Sequence, residues 1–311
     1  MKYIFVNLKR FDVSKDLGGI CPDNNPKEWI NKLISETVEL GLGKISETMV
    51  IYMLPEGLII TAAEALDKYE EKAGNIFIGC QGVFKDNIRA NGNFGAFTTF
   101  KPAAAVKSLG SSWTIIGHSE ERKVFYDIIE EYDCQCQQEK VREIASKVVN
   151  NIINKEINCA LESKLNVLIC VGETAEERGE GSFQEQKIRI ERVLKDQLVD
   201  GLKGIKENMK ECEIVIGYEP IWAIGPGKTP PNGEYIEFVG SIIKHILKEN
   251  FNLQLPVVYG GGLKVENALE IASLKSIDGG LVGLTKFTKP IAFEVSGLKD
   301  IINEYMGKRM V

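Results

Sequence analysis

Short apolar segments rich in β-branched residues alternate with longer amphipathic stretches, and this alternation restricts the fold more than any other feature. Eight segments are typical of strands, at residues 3–6, 48–53, 76–80, 113–117, 166–171, 213–218, 256–259 and 279–283. Helical periodicity lies between them, for example at residues 29–40, 62–72, 184–198 and 235–249. Strands separated by helices predict a parallel sheet. Within 311 residues, eight such units favour a closed (β/α)₈ barrel, with an open doubly wound sheet as the alternative.

Two regions depart from this regular plan. A loop with glycine, asparagine and proline follows the first strand, from Asp12 to Pro26. A polar stretch from Tyr132 to Lys164 is long for one helix and its connections. We interpret both as insertions in a single barrel domain over residues 1–311, and the second predicts an extended helix or a helix pair in the helix 4 region.

Composition excludes several classes of function. A net charge of −6 argues against a nucleic-acid partner. No apolar run approaches the ~20 residues that span a bilayer, so we predict no membrane partner. The N-terminus does not read as a signal peptide, which makes the cytoplasm the expected location. The seven cysteines are scattered and form no metal-type cluster with either histidine, so reduced thiols, no metal and no cofactor are expected.

Residues 217–230 read GYEPIWAIGPGKTP and carry the most specific chemical signal. A β-branched strand leads directly into Glu219, which is followed by Pro220, an apolar segment and a glycine-rich tip. Proline fixes one backbone dihedral and the glycines free the tip, so the segment predicts a lid with stiff ends. A carboxylate at the foot of such a lid is placed to act as a base on a small substrate. By itself, a Glu-Pro pair is more often a surface glutamate before an ordinary loop.

In a barrel, active residues lie at the C-terminal ends of the strands. Asn7 and Lys9 follow the first predicted strand, His118 the fourth and Glu219 the sixth, and a run of glycines at 260–262 follows the seventh. Each has a structural alternative: a histidine that only satisfies hydrogen bonds, an exposed lysine, or glycines chosen for a turn. Individually, none of these residues decides the function.

Together, these segments resemble the triosephosphate isomerase family. Residues 7–9 (NLK) are similar to its Asn-x-Lys, residues 116–120 (IGHSE) to its Gly-His-Ser-Glu, and residues 170–173 (CVGE) to its Cys-x-Gly-Glu. Residues 217–230 resemble its catalytic lid, and the segment around Phe97 and Thr98 resembles the loop that enters the partner subunit. The similarity runs in order from residue 7 to residue 283. It identifies the chain as a member of that family, with a TIM barrel fold.

The resemblance implies interconversion of dihydroxyacetone phosphate and D-glyceraldehyde 3-phosphate through an enediolate. Glu219 would move a proton between neighbouring carbons, while a neutral His118 donates a hydrogen bond to the carbonyl oxygen. Lys9 would supply a fixed positive charge and Asn7 would orient it. Glu120 would hydrogen-bond within the same cluster.

The expected partners are a small phosphorylated sugar and a second copy of the chain. A homodimer would form through the loop around Phe97 and Thr98. Backbone N–H groups of five residues would bind the phosphate. These are Gly225, Gly261, Gly262, Gly283 and Leu284.

The sequence also departs from the family pattern. Gly262 stands where a serine is usual and Leu284 where a second glycine is usual, so the substrate stays open. A sister isomerase or racemase acting on a tetrulose phosphate or related ketose phosphate is one alternative, and a non-catalytic paralogue is another. The family usually has a glutamate where Phe100 stands and an arginine where Glu121 stands. Both partners of that ion pair are therefore replaced together in this chain. Pro230 stands where a backbone N–H usually bonds the loop-seven tyrosine.

Overall fold

The computed structural model describes residues 1–132, 139–205, 211–225, 227–286 and 291–307. Its strands pair in parallel and in chain order, and the last strand pairs with the first to close the barrel. This confirms the (β/α)₈ prediction over the open sheet. The strands are β1 (Lys2–Asn7), β2 (Thr48–Leu54), β3 (Ile76–Cys80), β4 (Trp113–Ile116), β5 (Asn166–Val171), β6 (Ile214–Tyr218), β7 (Val257–Tyr259) and β8 (Gly279–Val282).

Helices occupy most of the connections between strands. None in the described ranges is long and apolar enough to cross a bilayer. They are α1 (Pro26–Glu39), α2 (Glu56–Asp67), α3 (Ala103–Ser108), α4 (Ser119–Tyr132), α5 (Glu139–Glu162), α6 (Ala175–Arg178), α7 (Phe183–Gly201), α8 (Gly233–Phe251), α9 (Val265–Ser273) and α10 (Val295–Tyr305).

Both predicted insertions contain regular secondary structure. The loop after β1 contains a short 3₁₀ turn and a bridge between Ser14 and Cys21. The second insertion contains α5, a helix of 24 residues, which agrees with an extended helix in this region. Residues 133–138 lie outside the described ranges.

The strands are apolar on both faces, because one face lies inside the barrel and the other packs against the helices. Along β1, Tyr3 and Phe5 belong to the cluster inside the barrel, whereas Ile4 and Val6 belong to the cluster between strands and helices. This alternation follows from the two-residue repeat of a strand, and parallel sheets covered on both faces give such continuous apolar runs. Inside the barrel, the Phe5 ring meets Trp113 edge-to-face at 5.2 Å between centroids.

Closure of a parallel barrel brings distant residues to one rim. Asn7 is the last residue of β1, His118 lies between β4 and α4, and Glu219 directly follows β6. All strands run in the same direction, so these positions face the same end of the barrel. The candidate site is at that end.

Candidate active site

A carboxylate and an imidazole meet at the centre of the rim. Glu219 Oε1 lies 3.2 Å from His118 Nε2, and Glu219 is only 3% exposed. The backbone N–H of Ser119, the first residue of α4, donates to Glu219 Oε2 at 3.0 Å. The partial positive charge of a helix N-terminus stabilises a carboxylate in this position. Sequence reasoning did not assign Ser119 a role, because its partner is a hundred residues away.

The hydrogen bonds of His118 bear on its tautomer. The backbone N–H of Glu120 points at His118 Nδ1 across 3.2 Å, so Nδ1 acts as the acceptor. A neutral imidazole with an accepting Nδ1 carries its proton on Nε2. That Nε2–H faces Glu219 Oε1, and Asn7 Nδ2 lies 3.4 Å from the same nitrogen.

Asn7 is fixed by Gln81, a residue that sequence reasoning missed. Asn7 Oδ1 accepts hydrogen bonds from the Lys9 backbone N–H and from Gln81 Nε2, each at 3.1 Å. Gln81 Nε2 also donates to the Lys9 carbonyl at 2.9 Å. Lys9 has φ 26°, in the left-handed region that an L-residue with a side chain rarely adopts. The only signal for Gln81 was a polar residue directly after a predicted strand.

Lys9 and Glu120 form an ion pair at the edge of this cluster. Lys9 Nζ donates to Glu120 Oε1 at 2.5 Å, and both side chains are half or more exposed. Partial burial acts to raise the pKa of Glu120, but the hydrogen bond and charge of Lys9 hold it below its ordinary value. The ammonium thus rests on an exposed carboxylate that it can exchange for a substrate oxygen.

The first part of the lid is anchored to a buried glutamate. Glu173 Oε1 accepts from Trp222 Nε1 and from the Tyr235 hydroxyl, each at 2.8 Å, and from the Tyr218 hydroxyl at 3.0 Å. Burial raises the pKa of Glu173, although these three donors act in the opposite direction. The guanidinium of Arg178 lies 3.9 Å above the Trp222 ring. The sequence did not predict this anchor because Glu173 and its donors come from three separate segments, namely the loop after β5, residues 218–222 and α8.

The glycines after β7 pack against the foot of the lid. A Cβ at Gly260 would lie 3.1 Å from Glu219 Cγ, and one at Gly261 would lie 2.6 Å from Pro220 Cγ. Only glycine fits this close approach between two loops. The hydroxyl of Tyr259 donates to the Gly261 carbonyl at 3.0 Å, so it has an acceptor within its own loop.

The other predicted phosphate-binding residues lie in open surroundings. Gly225 has φ 122° and Gly262 has φ 102°, both in the left-handed region. A Cβ at Gly225, Gly262 or Gly283 would meet nothing within 4 Å. Leu284 packs partly buried against the core. The loops after β6, β7 and β8 thus leave backbone near the rim unobstructed.

A cavity of about 1100 Å³ opens beside the cluster of predicted catalytic residues. Four of the predicted catalytic residues line it, namely Asn7, Lys9, His118 and Glu120. Lys15 and residues 18–20 of the first insertion also line it. The five predicted phosphate-binding residues are not part of this lining. The structure therefore joins the predicted catalytic residues by direct contacts, whereas none of the five predicted phosphate-binding residues lines this cavity.

Known proteins match the chain over most of its length. A family model described as triosephosphate isomerase matches residues 43–294. A triosephosphate isomerase of Alkaliphilus metalliredigens is 32% identical over 264 residues, covering 82% of this chain and 90% of that protein. One of Finegoldia magna is 31% identical over 268 residues, covering 84% and 87%.

A solved structure gives the same fold. The crystal structure of triosephosphate isomerase from Bartonella henselae is similar with a TM-score of 0.66 at 23% identity, and the match covers 98% of this chain and 99% of that one. At that identity the similarity shows a common fold alone. Common descent is shown by the family model and the sequence relatives. The chain belongs to the triosephosphate isomerase family.

Proposed function

We propose that the chain interconverts dihydroxyacetone phosphate and D-glyceraldehyde 3-phosphate. Family membership supports the reaction. The observation that carries the assignment to these residues is the 3.2 Å approach of Glu219 Oε1 to His118 Nε2 at the rim. A base and a neutral hydrogen-bond donor side by side are what proton transfer next to a carbonyl requires.

In this mechanism Glu219 turns from the N-terminus of α4 and removes a proton from the carbon next to the substrate carbonyl. Negative charge develops on the carbonyl oxygen, where the Nε2–H of His118 and the ammonium of Lys9 stabilise it. Glu219 then returns the proton to the neighbouring carbon. The histidine needs no proton exchange before the reaction, because the Glu120 N–H already selects the required tautomer.

The phosphate is bound in this proposal by backbone N–H groups of the loops after β6, β7 and β8. The open surroundings of Gly225, Gly262 and Gly283 support this, since a Cβ at any of them would meet no atom within 4 Å. The lid closes over the enediolate and excludes water, which would otherwise promote loss of the phosphate.

The test is a coupled assay of glyceraldehyde 3-phosphate isomerisation. Glu219→Gln should lower kcat by ~10² to 10⁴, the usual contribution of a general base. Glu249→Gln is the matched control, because it makes the same change at an exposed position on α8 and should leave kcat unchanged. Unchanged turnover in Glu219→Gln would overturn the assignment of the base.

The cavity motivates a second candidate substrate. It extends from Lys9 to Lys15 of the first insertion, which leaves room for a ketose phosphate longer than a triose. Such a substrate would use the same enediolate chemistry. A higher kcat/KM for a tetrulose phosphate than for glyceraldehyde 3-phosphate would favour this candidate over the first. Turnover that depends on Glu219 with either substrate would exclude a non-catalytic role.

The working form in this proposal is a homodimer in the cytoplasm. Thr98 is exposed and Phe94, in the same loop, is 95% exposed, which suits a loop that enters a partner subunit. The five described cysteines are free thiols, as expected in a reducing compartment.

A further inference from the structure

Two glutamates from successive helices meet behind the histidine. Glu121 is the third residue of α4, Glu156 lies on α5, and their side chains hydrogen-bond to each other. Glu156 is 3% exposed, and its Oε2 finds no N–H or O–H donor within the described part of the chain. Ionised carboxylates only accept hydrogen bonds, so a bond between two carboxyl groups requires a proton on one of them.

The surroundings favour keeping that proton. Burial raises the pKa of both carboxyl groups, and the charge of Glu121 raises that of Glu156 further. Arg122 on α4 acts against this on both groups, as do Lys101 on Glu121 and Lys85 on Glu156, but they do not reverse it. Within the described part of the chain, the thiols of Cys159 and Cys170 also lie near enough to interact with the pair.

Glu121 is bonded to the peptide that precedes the histidine. Its Oε2 accepts the backbone N–H of Gly117 at 2.6 Å, and Arg122 Nε donates to the Gly117 carbonyl at 2.8 Å. Gly117 has φ 76°, so it is the point where the chain leaves β4 and turns toward α4. Both polar groups of Gly117 are thus held by neighbouring residues of α4. This sets the direction in which His118 enters the site.

We propose that Glu121 and Glu156 are positioning residues that share one proton, and that this acid pair holds Gly117 and therefore the His118 imidazole in the geometry that isomerisation requires. Losing the proton would put two negative charges in contact inside the protein, which drives the side chains apart. Glu121 borders the cavity, so the pair can exchange its proton with solvent. The kinetic part of the inference rests on the proposed function.

The experiment compares kcat of the unmodified protein and of Glu156→Gln from about pH 6 to pH 10. Glutamine has the same shape and keeps an N–H donor for Glu121, but it cannot ionise. Near neutral pH the variant should retain kcat within about 3-fold, as expected when a hydrogen bond is kept. Its alkaline decline should be absent or displaced to higher pH, with KM unchanged, because neither carboxyl group is among the proposed substrate-binding groups.

Glu162→Gln is the matched control on the same helix. Its carboxylate pairs with Arg89 at the surface and is far more exposed, so the same substitution should leave the pH profile of kcat unchanged. Superimposable profiles for the unmodified protein and Glu156→Gln would overturn the proposal.

An infrared titration in D₂O decides the question without turnover. A protonated carboxyl band that persists at neutral pH and disappears in Glu156→Gln supports the shared proton. If all carboxyl bands of the unmodified protein vanish by about pH 6, no carboxyl keeps its proton and the proposal fails. Absence of isomerisation in the unmodified protein would count against the proposed function, and the infrared result would still decide whether the pair holds a proton.

Discussion

At the scale of single residues, two consecutive backbone N–H groups set the candidate site. The N–H of Ser119 holds the Glu219 carboxylate, and the N–H of Glu120 occupies His118 Nδ1. Both groups lie in the first turn of α4, where backbone N–H groups have no partner within the helix. The start of one helix thus orients the proposed base and selects the tautomer of the proposed donor.

We expect His118→Gln to lower kcat by ~10² to 10³, comparable with the loss of one preorganised donor to a developing oxyanion. Steady-state kinetics with glyceraldehyde 3-phosphate measures this. The chain has one other histidine, His245, which is exposed on α8, so His245→Gln is the control. Equal kcat in both variants would show that His118 does not stabilise the oxyanion.

Gly261 gives a steric prediction. In Gly261→Ala the new Cβ would lie 2.3 Å from the Tyr259 hydroxyl and 2.6 Å from Pro220 Cγ, so the foot of the lid must shift. We expect a loss of about 1–3 kcal/mol in the free energy of unfolding. Since Pro220 adjoins the proposed base, kcat/KM should also fall ~10-fold or more. Urea unfolding and kinetics check both expectations.

Gly57→Ala is the control for that substitution. A Cβ at Gly57, on α2, would meet nothing within 4 Å. This variant should retain kcat/KM and gain up to ~1 kcal/mol in unfolding free energy, because alanine favours the helix. A Gly261→Ala protein as stable and active as Gly57→Ala would contradict the close packing of the two loops.

At the scale of elements, the long helix α5 contributes a buried acid to the protein. The raised pKa of Glu156 means that the folded chain keeps a proton that the unfolded chain releases near the ordinary value of 4.5. Stability therefore falls as pH rises from that ordinary value toward the raised one. The cost is absent below the ordinary value, where both states are protonated.

Glu156→Gln removes this cost. At about pH 8 we expect the variant to be more stable than the unmodified protein by about 1–3 kcal/mol, with the difference vanishing on the acid side. Thermal melts across the pH range measure it. A variant less stable than the unmodified protein at alkaline pH would show that the buried carboxyl is ionised and paired instead.

The second element is the lid, residues 217–230, together with Glu173, to which its first part is hydrogen-bonded. Its first part is attached to β5, β6 and α8 through one oxygen of Glu173, whereas Gly225 and Gly227 give the tip left-handed backbone conformations. The anchor at the first end and the glycines at the tip are features that such a lid needs, and the stiff-ended lid itself stays a prediction. At the far end of the lid, Pro230 has no backbone N–H that could be donated to Tyr259.

At the scale of the whole molecule, the loop proposed to enter a partner subunit lies between β3 and α3. Phe84 stacks on Phe100 at 4.1 Å and meets Phe97 edge-to-face at 5.9 Å, so an aromatic cluster supports the exposed tip. Phe100 thus has an apolar role in the loop, and Glu121 accepts the Gly117 N–H within its own chain. Both residues that replace the family's glutamate–arginine pair thus have contacts within the described part of this chain. The single-domain organisation over residues 1–311 stays a prediction.

Thr98→Arg tests the proposed dimer. A large charged side chain at the tip should prevent its insertion into a partner, so sedimentation velocity should show a shift from dimer to monomer. Ser108→Arg makes a similar change at an exposed position on α3 and should leave the sedimentation unchanged. A wild-type monomer, or a Thr98→Arg dimer, would contradict the assignment of this loop to the interface.

Local pattern alone was enough to locate the strands. The predicted bounds of β3 and β5 agree with the structure, since strand segments read as short apolar runs whatever they pair with. β4 ends one residue before its predicted bound, because Gly117 adopts a positive φ. The second predicted helix, at 62–72, was wrong by several residues: α2 begins at Glu56, after Pro55, and ends at Asp67.

The sequence by itself determined the order of the elements and, through the common direction of the strands, which residues share the rim. Only the tertiary structure decided how those residues are held. Gln81 on Asn7, Glu173 on Trp222 and the contact of Glu121 with Glu156 each join segments far apart in the chain. The protonation of a buried carboxyl or imidazole depends on its burial and on the donors that face it, and both arise only when separate elements pack together.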